Sequence, residues 1–399
     1  MTVRVNRPSF NIREKLSELG RKFGLKGSEL VAAETVQEAR DVVSAGRKNL
    51  IINGDFRINQ RYGNSSSTEK DRITVDRWFE SNPGGSAMSH QTVQEAPDGF
   101  VYSEKMTMGG SVYTPGSTNT MFFSQSIEGQ NVAHLNMGSS SAKSFTVSFW
   151  VRSSLTGNFS IGINNTTGGN PTNNATHAYV THYSINVANT WEYKTVTFPG
   201  APIGTWATDH TGGLCLIFDL GSGSGHDGTL NQWSASDNHR APNSVRMGSV
   251  ASSTWQITGV QLEVGRNATE FEHRPYGEEL MLCERYFEKI WQNNNTASPH
   301  SGGDGYNTIS PGVHNGSNGY YVWKFRTQKR IRPSLNYGGA FRVFGASSIL
   351  NLAPNEFYSP GVDAARLRFG HSGSAGQAFI LEFDGGNSSD GFVSANAEL

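Results

Sequence analysis

Residues 144–152 read Ser144-Phe145-Thr146-Val147-Ser148-Phe149-Trp150-Val151-Arg152, and this strict alternation is the pattern of a β-strand with one face in a core. Phe145, Val147, Phe149 and Val151 share the core face, and Thr146, Ser148, Trp150 and Arg152 share the other. Trp150 therefore points away from the core, toward solvent, a groove or another chain. A tryptophan in that position is either ordinary packing or a platform on which a sugar ring can stack.

The same texture extends outward over residues 49–275. Short alternations at 50–53, 77–80, 102–106, 121–127, 159–164, 191–198, 213–220 and 255–263 are separated by clusters of Gly, Asn, Ser and Pro. That spacing predicts a β-sandwich. Over 276–292, Leu280, Leu282, Tyr286, Phe287 and Ile290 form an apolar stripe that predicts a helical connector. A Gly/Asn/Ser-rich run then opens a second, smaller β domain over 293–399, with alternations at 320–327, 334–337, 341–344, 365–370 and 378–383.

The first 48 residues are different. They hold 10 Lys or Arg and 6 Asp or Glu, a far higher charge density than the rest of the chain. Asn11 opens a short amphipathic helix with Ile12, Leu16 and Leu19 on one face, and Thr35 with Glu38 forms the capping box of a second. Helices this short need a partner surface. They read either as a subdomain folded on their own chain or as a docking segment.

The whole chain has 399 residues, of which 33 are Lys or Arg and 34 Asp or Glu, leaving a net charge of −1. Such balance argues against a nucleic-acid or anionic-membrane surface. No apolar run is long enough to span a bilayer, and no signal-type apolar stretch follows the basic residues near Met1. Cys215 and Cys283 are too few for a disulfide framework or a four-ligand zinc site, and whether they meet is open.

Enzyme signatures fail in turn. The eleven histidines are scattered, and neither H-E-x-x-H nor G-x-S-x-G occurs. Gly223-Ser-Gly-His-Asp-Gly228 matches G-x-G-x-x-G, but no helix pattern follows to hold a pyrophosphate. Asp209, Asp219, Asp227 and Asp237 would serve a glycosidase only if folding set two of them about 5–9 Å apart across a sugar. The expectation is a protein that is not an enzyme.

One set of motifs goes further. Asn53-Gly54 within Asn49-Leu-Ile-Ile-Asn-Gly-Asp-Phe56, Asp76-Arg77-Trp78, Ser148-Phe149-Trp150-Val151, Gln261-Leu262-Glu263 and Phe271-Glu272 stand in that order, followed by Glu279-Leu-Met-Leu-Cys-Glu-Arg-Tyr-Phe287. Together they resemble the jelly-roll, carbohydrate-binding-module-like domain of tailed-bacteriophage virion proteins. The opening Arg4-Val-Asn-Arg7-Pro-Ser and the residues around Ala39–Gly46 are similar to the leading segment of fibre proteins from short-tailed phages of cyanobacteria. The ending, from Asp390 to Leu399, resembles the terminal strand of such fibres, with Asn396 where aspartate is more usual.

The resemblance implies a mainly β architecture: a helical virion-attachment segment over 1–48 with Arg4, Arg7, Ile12, Leu16 and Leu19 as its contacts, a jelly-roll over 49–275, a connector over 276–292 and a distal β domain over 293–399. It implies a homotrimeric tail or head fibre in the virion, joined through its first residues to tail, portal-proximal or capsid proteins and binding a host-surface glycan. A purely structural joint or decoration protein, or a polysaccharide-degrading spike, is the alternative. Sandwiches of this class can carry a structural calcium between opening and closing strands. The oxygen donors in those places are Asn53, Asp55 and Glu263, which otherwise read as a turn and a surface residue.

In the distal domain Tyr321, Trp323 and Phe325 share a strand face, which reads as core or trimer interface, while Tyr306, His314, Asn315, Asn318 and Tyr320 are the candidates for receptor contact.

Overall fold

The 144–152 alternation folds as an inner strand of a five-stranded antiparallel sheet. In spatial order that sheet is β3 (Met88–Val93), β4 (Ser103–Met108), β12 (Thr254–Val264), β6 (Phe145–Ser153) and β9 (Glu192–Phe198). A seven-stranded antiparallel sheet faces it, ordered β1 (Arg72–Val75), β2 (Trp78–Ser81), β5 (Phe122–Glu128), β10 (Gly212–Asp219), β7 (Gly157–Asn164), β8 (Ala178–Ile185) and β11 (Trp233–Ser234). The structure, a computed structural model, describes residues 47–69, 71–82, 88–166, 175–291, 308–338, 341–344, 356–358, 361–370, 373–383 and 392–399. The chain divides into units 1–49 and 50–399, and the second holds all the named strands.

Between the two sheets lies an aromatic-rich core. Phe145, Val147, Phe149 and Val151 are fully buried there with Ile161, Ile163, Leu214, Leu216, Phe218 and Trp255. Trp78 stacks on Phe123 at 4.8 Å, and Phe149 meets Phe218 edge-on at 5.0 Å. Each such side chain contributes about 1.5–3 kcal/mol by leaving water, enough for the sandwich to stand without disulfides. Both cysteines are indeed free thiols, and both are buried.

A second sandwich follows. A three-stranded sheet, β13 (Phe287–Trp291), β21 (Phe392–Asn396) and β16 (Ser334–Gly338), accompanies a six-stranded sheet ordered β17 (Phe341–Phe344), β20 (Ala378–Phe383), β14 (Thr308–His314), β15 (Asn318–Lys324), β19 (Ala364–Gly370) and β18 (Glu356–Tyr358). Tyr321, Trp323 and Phe325 lie in its core with Leu367, Phe369, Phe379, Leu381, Val393 and Ala395, which settles their shared face as interior.

Two expected elements differ. Residues 50–53 form no strand, because both backbone groups of Ile52 are taken by the Gln125 side chain, at 2.8 Å to its Oε1 and 2.7 Å from its Nε2. Only the first part of the expected connector is helical, as α2 (Tyr276–Glu284); α1 (Gly129–Val132) is the other α-helical turn among the described residues. After Tyr286 the chain extends as β13 and pairs with β21 from Phe287↔Asn396 to Trp291↔Phe392. Phe287, Ile290 and Trp291 suit a strand as well as a helical stripe, and the open edge of β21 decides between them.

The motif residues gather where the two sandwiches meet. A Cβ on Gly54 would overlap the Val260 carbonyl oxygen, so the opening turn can lie against β12 only with glycine there. Asn53, at φ 57°, donates its amide to Ile58 O and Asp76 O and accepts from Ile58 N. Asp76 accepts from the Gln60 backbone at 2.6 Å and side chain at 2.9 Å, while Trp78 Nε1 donates to Asn53 O. Arg77 is buried, pairs with Glu398, donates to Ser126 O at 2.6 Å, and lies 3.5 Å over the Tyr286 ring. Arg285 binds Glu128 through two nitrogens, at 2.7 and 2.8 Å, and Arg330 donates to Ala397 O and Glu398 O. Asn53-Gly54, Asp76-Arg77-Trp78 and Arg285-Tyr286 are thus a polar joint between two β bodies.

Candidate functional site

The outer face of the five-stranded sheet carries the arrangement best suited to a ligand. Trp150 stands on it, opposite Thr258 of β12 on one side and Tyr193 of β9 on the other. The Trp150 and Tyr193 rings are 5.4 Å apart with planes inclined at 52°, and Tyr193 is 45% exposed. One step along the sheet, Arg152 lies opposite Gln256, which lies opposite Lys105 of β4. Glu95 Oε2 accepts from Arg152 Nη1 and from Gln256 Nε2, both at 3.3 Å, and Arg152 Nε donates to Asn189 O. The result is an aromatic pair beside a row of fixed hydrogen-bonding groups.

The sequence places these groups for identifiable reasons. β6 must turn its apolar residues inward, so Trp150 and Arg152 must face out. The register of β12 shifts between Thr258 and Gln261 at Gly259, which has φ 63° and lies so close to Phe100 that a Cβ would stand 2.6 Å from its ring. That bulge lets Phe100 roof the far half of the face, packed on Phe271 at 5.1 Å and His273 at 5.3 Å. Trp150 remains at the border of the roofed half, partly buried. Beside Tyr193, Glu192 accepts from Asn186 N, Val187 N and Lys194. Desolvation acts to raise its pKa, but these hydrogen bonds prevail and hold it at about 2, so the carboxylate stays ionised and paired with Lys194 at any physiological pH.

The other candidate residues fall elsewhere. Asn53, Asp55 and Glu263 each have partners within the chain. The Asn53 carboxamide is engaged with backbone, Asp55 pairs with Arg57 at 3.0 Å, and Glu263 accepts from the Thr269 amide and hydroxyl, both at 2.7 Å. Cationic charge near the opening turn comes from the chain itself: Arg57 on Asp55, and Arg274 on Glu272 and Glu279 at 3.2 Å each. Among the described residues no group of three or more His, Cys, Asp or Glu is placed to hold a metal.

Three of the four carboxylates weighed for glycoside cleavage are also engaged. Asp219 is fully buried and accepts from Gly221 N and Ser222 N, Arg240 joins it to Asp227, and Asp209 accepts from Thr211. Burial lifts Asp219 to about 6, against the lowering influence of Ser222 and Arg240, and denies it any substrate.

In the distal domain, His314 is a correction. It is buried against Phe379, and its Nδ1 accepts from Gly316 N at 2.8 Å, so it caps the β14–β15 turn from inside instead of facing a receptor. Asn315 is exposed at that turn, where its Oδ1 accepts from Ser317 N and Asn318 N and its amide reaches the Tyr320 hydroxyl at 3.1 Å. Asn318 and Tyr320 are half-buried, with Arg366 5.5 Å over the Tyr320 ring. Tyr306, Arg4, Arg7, Ile12, Leu16 and Leu19 lie outside the described residues.

Sequence reasoning reached Trp150 but not Tyr193, Glu95 or Gln256, which meet it only through strand pairing. Register was the missing information.

No protein-family model and no curated protein matches the sequence. Among solved structures, the enzymatically active domain of tailspike protein 4 of bacteriophage CBA120 is similar to 51% of this chain at 16% identity and a TM-score of 0.28. This chain covers only 22% of that domain's length. A family 4 carbohydrate-binding module is similar at 16% identity and a TM-score of 0.28, covering 53% of this chain and 98% of its own. The first family 22 xylan-binding domain of a Paenibacillus barcinonensis xylanase is similar at 9% identity and a TM-score of 0.25, covering 56% of this chain and 100% of its own. Likenesses this weak assign no activity to the chain.

Proposed function

We propose that this chain is a non-catalytic, glycan-binding structural protein of a tailed-phage virion, attached to the particle by its first 48 residues. The observation that carries the binding function is the outward Trp150–Tyr193 pair beside the Arg152–Glu95–Gln256 row. Aromatic faces stack on the C–H faces of sugar rings, and fixed polar groups select their hydroxyls. The motifs quoted for the first sandwich and the N-terminal segment support the virion setting.

In this reading the chain works as a homotrimeric fibre. Val313, Val322 and Ile380, which are exposed on β14, β15 and β20, are the surface that copies of the chain cover. Several weak platforms on one fibre then gain avidity together, and no tight single site is needed.

The test is a microarray of neutral and uronic-acid-containing oligosaccharides of four to six units, roughly the span of an open binding face, probed with the full chain and with Trp150→Ala and Tyr193→Ala. Each substitution should weaken binding by about tenfold or more while leaving the fold intact, since a stacking tryptophan or tyrosine is the usual energetic centre of such a surface. Binding that is unchanged in both variants, or absent from the wild-type chain, contradicts the proposal.

A further inference from the structure

A second feature lies at another edge of the jelly-roll. An open cleft of about 300 Å³ is lined by Val132, Ala133, Asn136, Met137, Ser139, Ser141, Trp206, Ala207, Thr208 and Gly213. None of these ten side chains is charged. Trp206 stands on one side, held by a hydrogen bond from its Nε1 to Ile203 O at 3.1 Å and by an edge-to-face contact with Trp233 at 5.5 Å. Val132 and Met137 add apolar surface; Asn136, Ser139, Ser141 and Thr208 supply hydroxyls and an amide.

The cleft is preformed by backbone-to-backbone contacts that only glycine permits. Gly138 and Gly204 have φ 84° and 90°, and a Cβ on Gly138 would overlap Gly204 O. A Cβ on Gly129 would overlap Ala207 O, and one on Gly213 the Gly129 Cα. Hydrogen bonds from Gly138 N to Ala201 O, Gly129 N to Thr211 O and Gln130 N to Asp209 O, each 2.8 Å, tie the walls together. Asn136 sits in the left-handed region at φ 53°, which turns the chain at the rim. Its carboxamide makes no hydrogen bond among the described residues, whereas Ser139 Oγ donates to Asn136 O at 2.7 Å and meets Ser141 Oγ at 3.0 Å. A rigid site of this kind loses little entropy on binding.

We infer that this cleft is a second carbohydrate site, taking one or two units of a neutral hexose chain. An indole wall, an apolar floor and uncharged hydrogen-bonding groups match the alternating C–H and O–H surfaces of a pyranose. The absence of any lysine or arginine from the lining leaves a carboxylate or sulfate on the sugar without a counter-charge, so acidic sugars are excluded. This inference rests on the glycan-binding reading above but names a different place and a shorter ligand.

The experiment titrates the full chain with neutral hexose disaccharides, and with uronic-acid disaccharides as the charged control, following chemical shifts or tryptophan fluorescence. Variants are Trp206→Ala, Asn136→Gly and Trp150→Ala. Glycine keeps the left-handed backbone at 136 while deleting the amide, so the test survives if Trp206→Ala fails to fold. Neutral disaccharides should bind, uronic acids should not, and Trp206→Ala or Asn136→Gly should weaken binding by about tenfold or more, a larger loss than Trp150→Ala causes. Loss in Trp150→Ala alone overturns the cleft and leaves the platform standing. Loss in none of the variants, or no disaccharide binding by the wild-type chain, overturns the cleft, and the oligosaccharide array then decides the platform independently.

Discussion

Arg77→Met should cost about 3–5 kcal/mol of unfolding free energy, the usual penalty for removing one partner of a buried ion pair. Arg77 is 2% exposed and serves three groups at once: the Glu398 carboxylate, the Ser126 carbonyl and the Tyr286 ring. Methionine keeps an unbranched apolar stem but satisfies none of them. Arg61 remains on Glu398 at 3.2 Å, which places the loss toward the lower end of that range. Urea unfolding measures it, and the double variant Arg77→Met with Glu398→Gln should recover part of the loss, because the uncompensated carboxylate disappears with its partner. A single-variant loss below about 1 kcal/mol, the level of an exposed pair, would mean that the joint does not hold the two sandwiches.

The second large effect is a pH dependence. Glu80 is fully buried in β2, with Oε1 accepting from Asn82 Nδ2 at 2.7 Å and Oε2 among the buried atoms without a hydrogen-bond partner. Desolvation lifts its pKa to about 7, and nearby Glu104 and Asp71 add to the rise while His90 and Asn82 oppose it. Between the ordinary glutamate value of 4.5 and about 7, the folded chain keeps a proton that the unfolded chain has released. Stability therefore falls as pH rises through that window, by about 1.4 kcal/mol per pH unit for this one group. Asp76 and Asp219, both lifted to about 6 by burial, act in the same direction.

Glu80→Gln should flatten the slope and stabilise the chain at pH 8 by about 2–3 kcal/mol, while changing little at pH 4.5. Denaturation curves at several pH values decide the matter. A slope identical to the wild type would show that Glu80 is ionised and accommodated in the folded state.

Much of this architecture was legible in the sequence, and the failures have physical causes. The 144–152 alternation located β6 within a residue at each end, because one face of that strand meets core and the other does not. β8 was missed because Thr181, His182 and Ser184 interrupt its apolar residues, and β14 because Pro311 and Gly312 read as loop. The segment at 287–291 reads as part of a helical connector, and its pairing with β21, distant in sequence, makes it a strand instead. His314 looked like a loop residue since its neighbours Asn315, Gly316 and Ser317 form a turn, yet the turn folds the imidazole inward.

The candidate site was legible only in part. Trp150 could be placed outward from alternation, but Tyr193 becomes its neighbour only through the β6–β9 register. Trp206 lies in a segment without periodicity, where no pattern assigns a side chain to a wall. Conversely, the motifs most easily noticed, Asn53-Gly54, Asp76-Arg77-Trp78 and the Arg285-Tyr286 pair, build the joint between sandwiches. Their spacing reflects packing, and of the proposed platform only Trp150 belongs to a quoted motif.

The measurement that tests the proposed virion role most directly is a cryo-EM reconstruction of a tailed-phage particle produced with this chain, at a resolution that traces its backbone. The expected result is residues 1–48 embedded in neighbouring virion proteins, with the outer face of the five-stranded sheet, Trp150 and Tyr193 included, open to solvent. A reconstruction in which other virion proteins cover that face would contradict a glycan-binding role and leave the chain a structural joint.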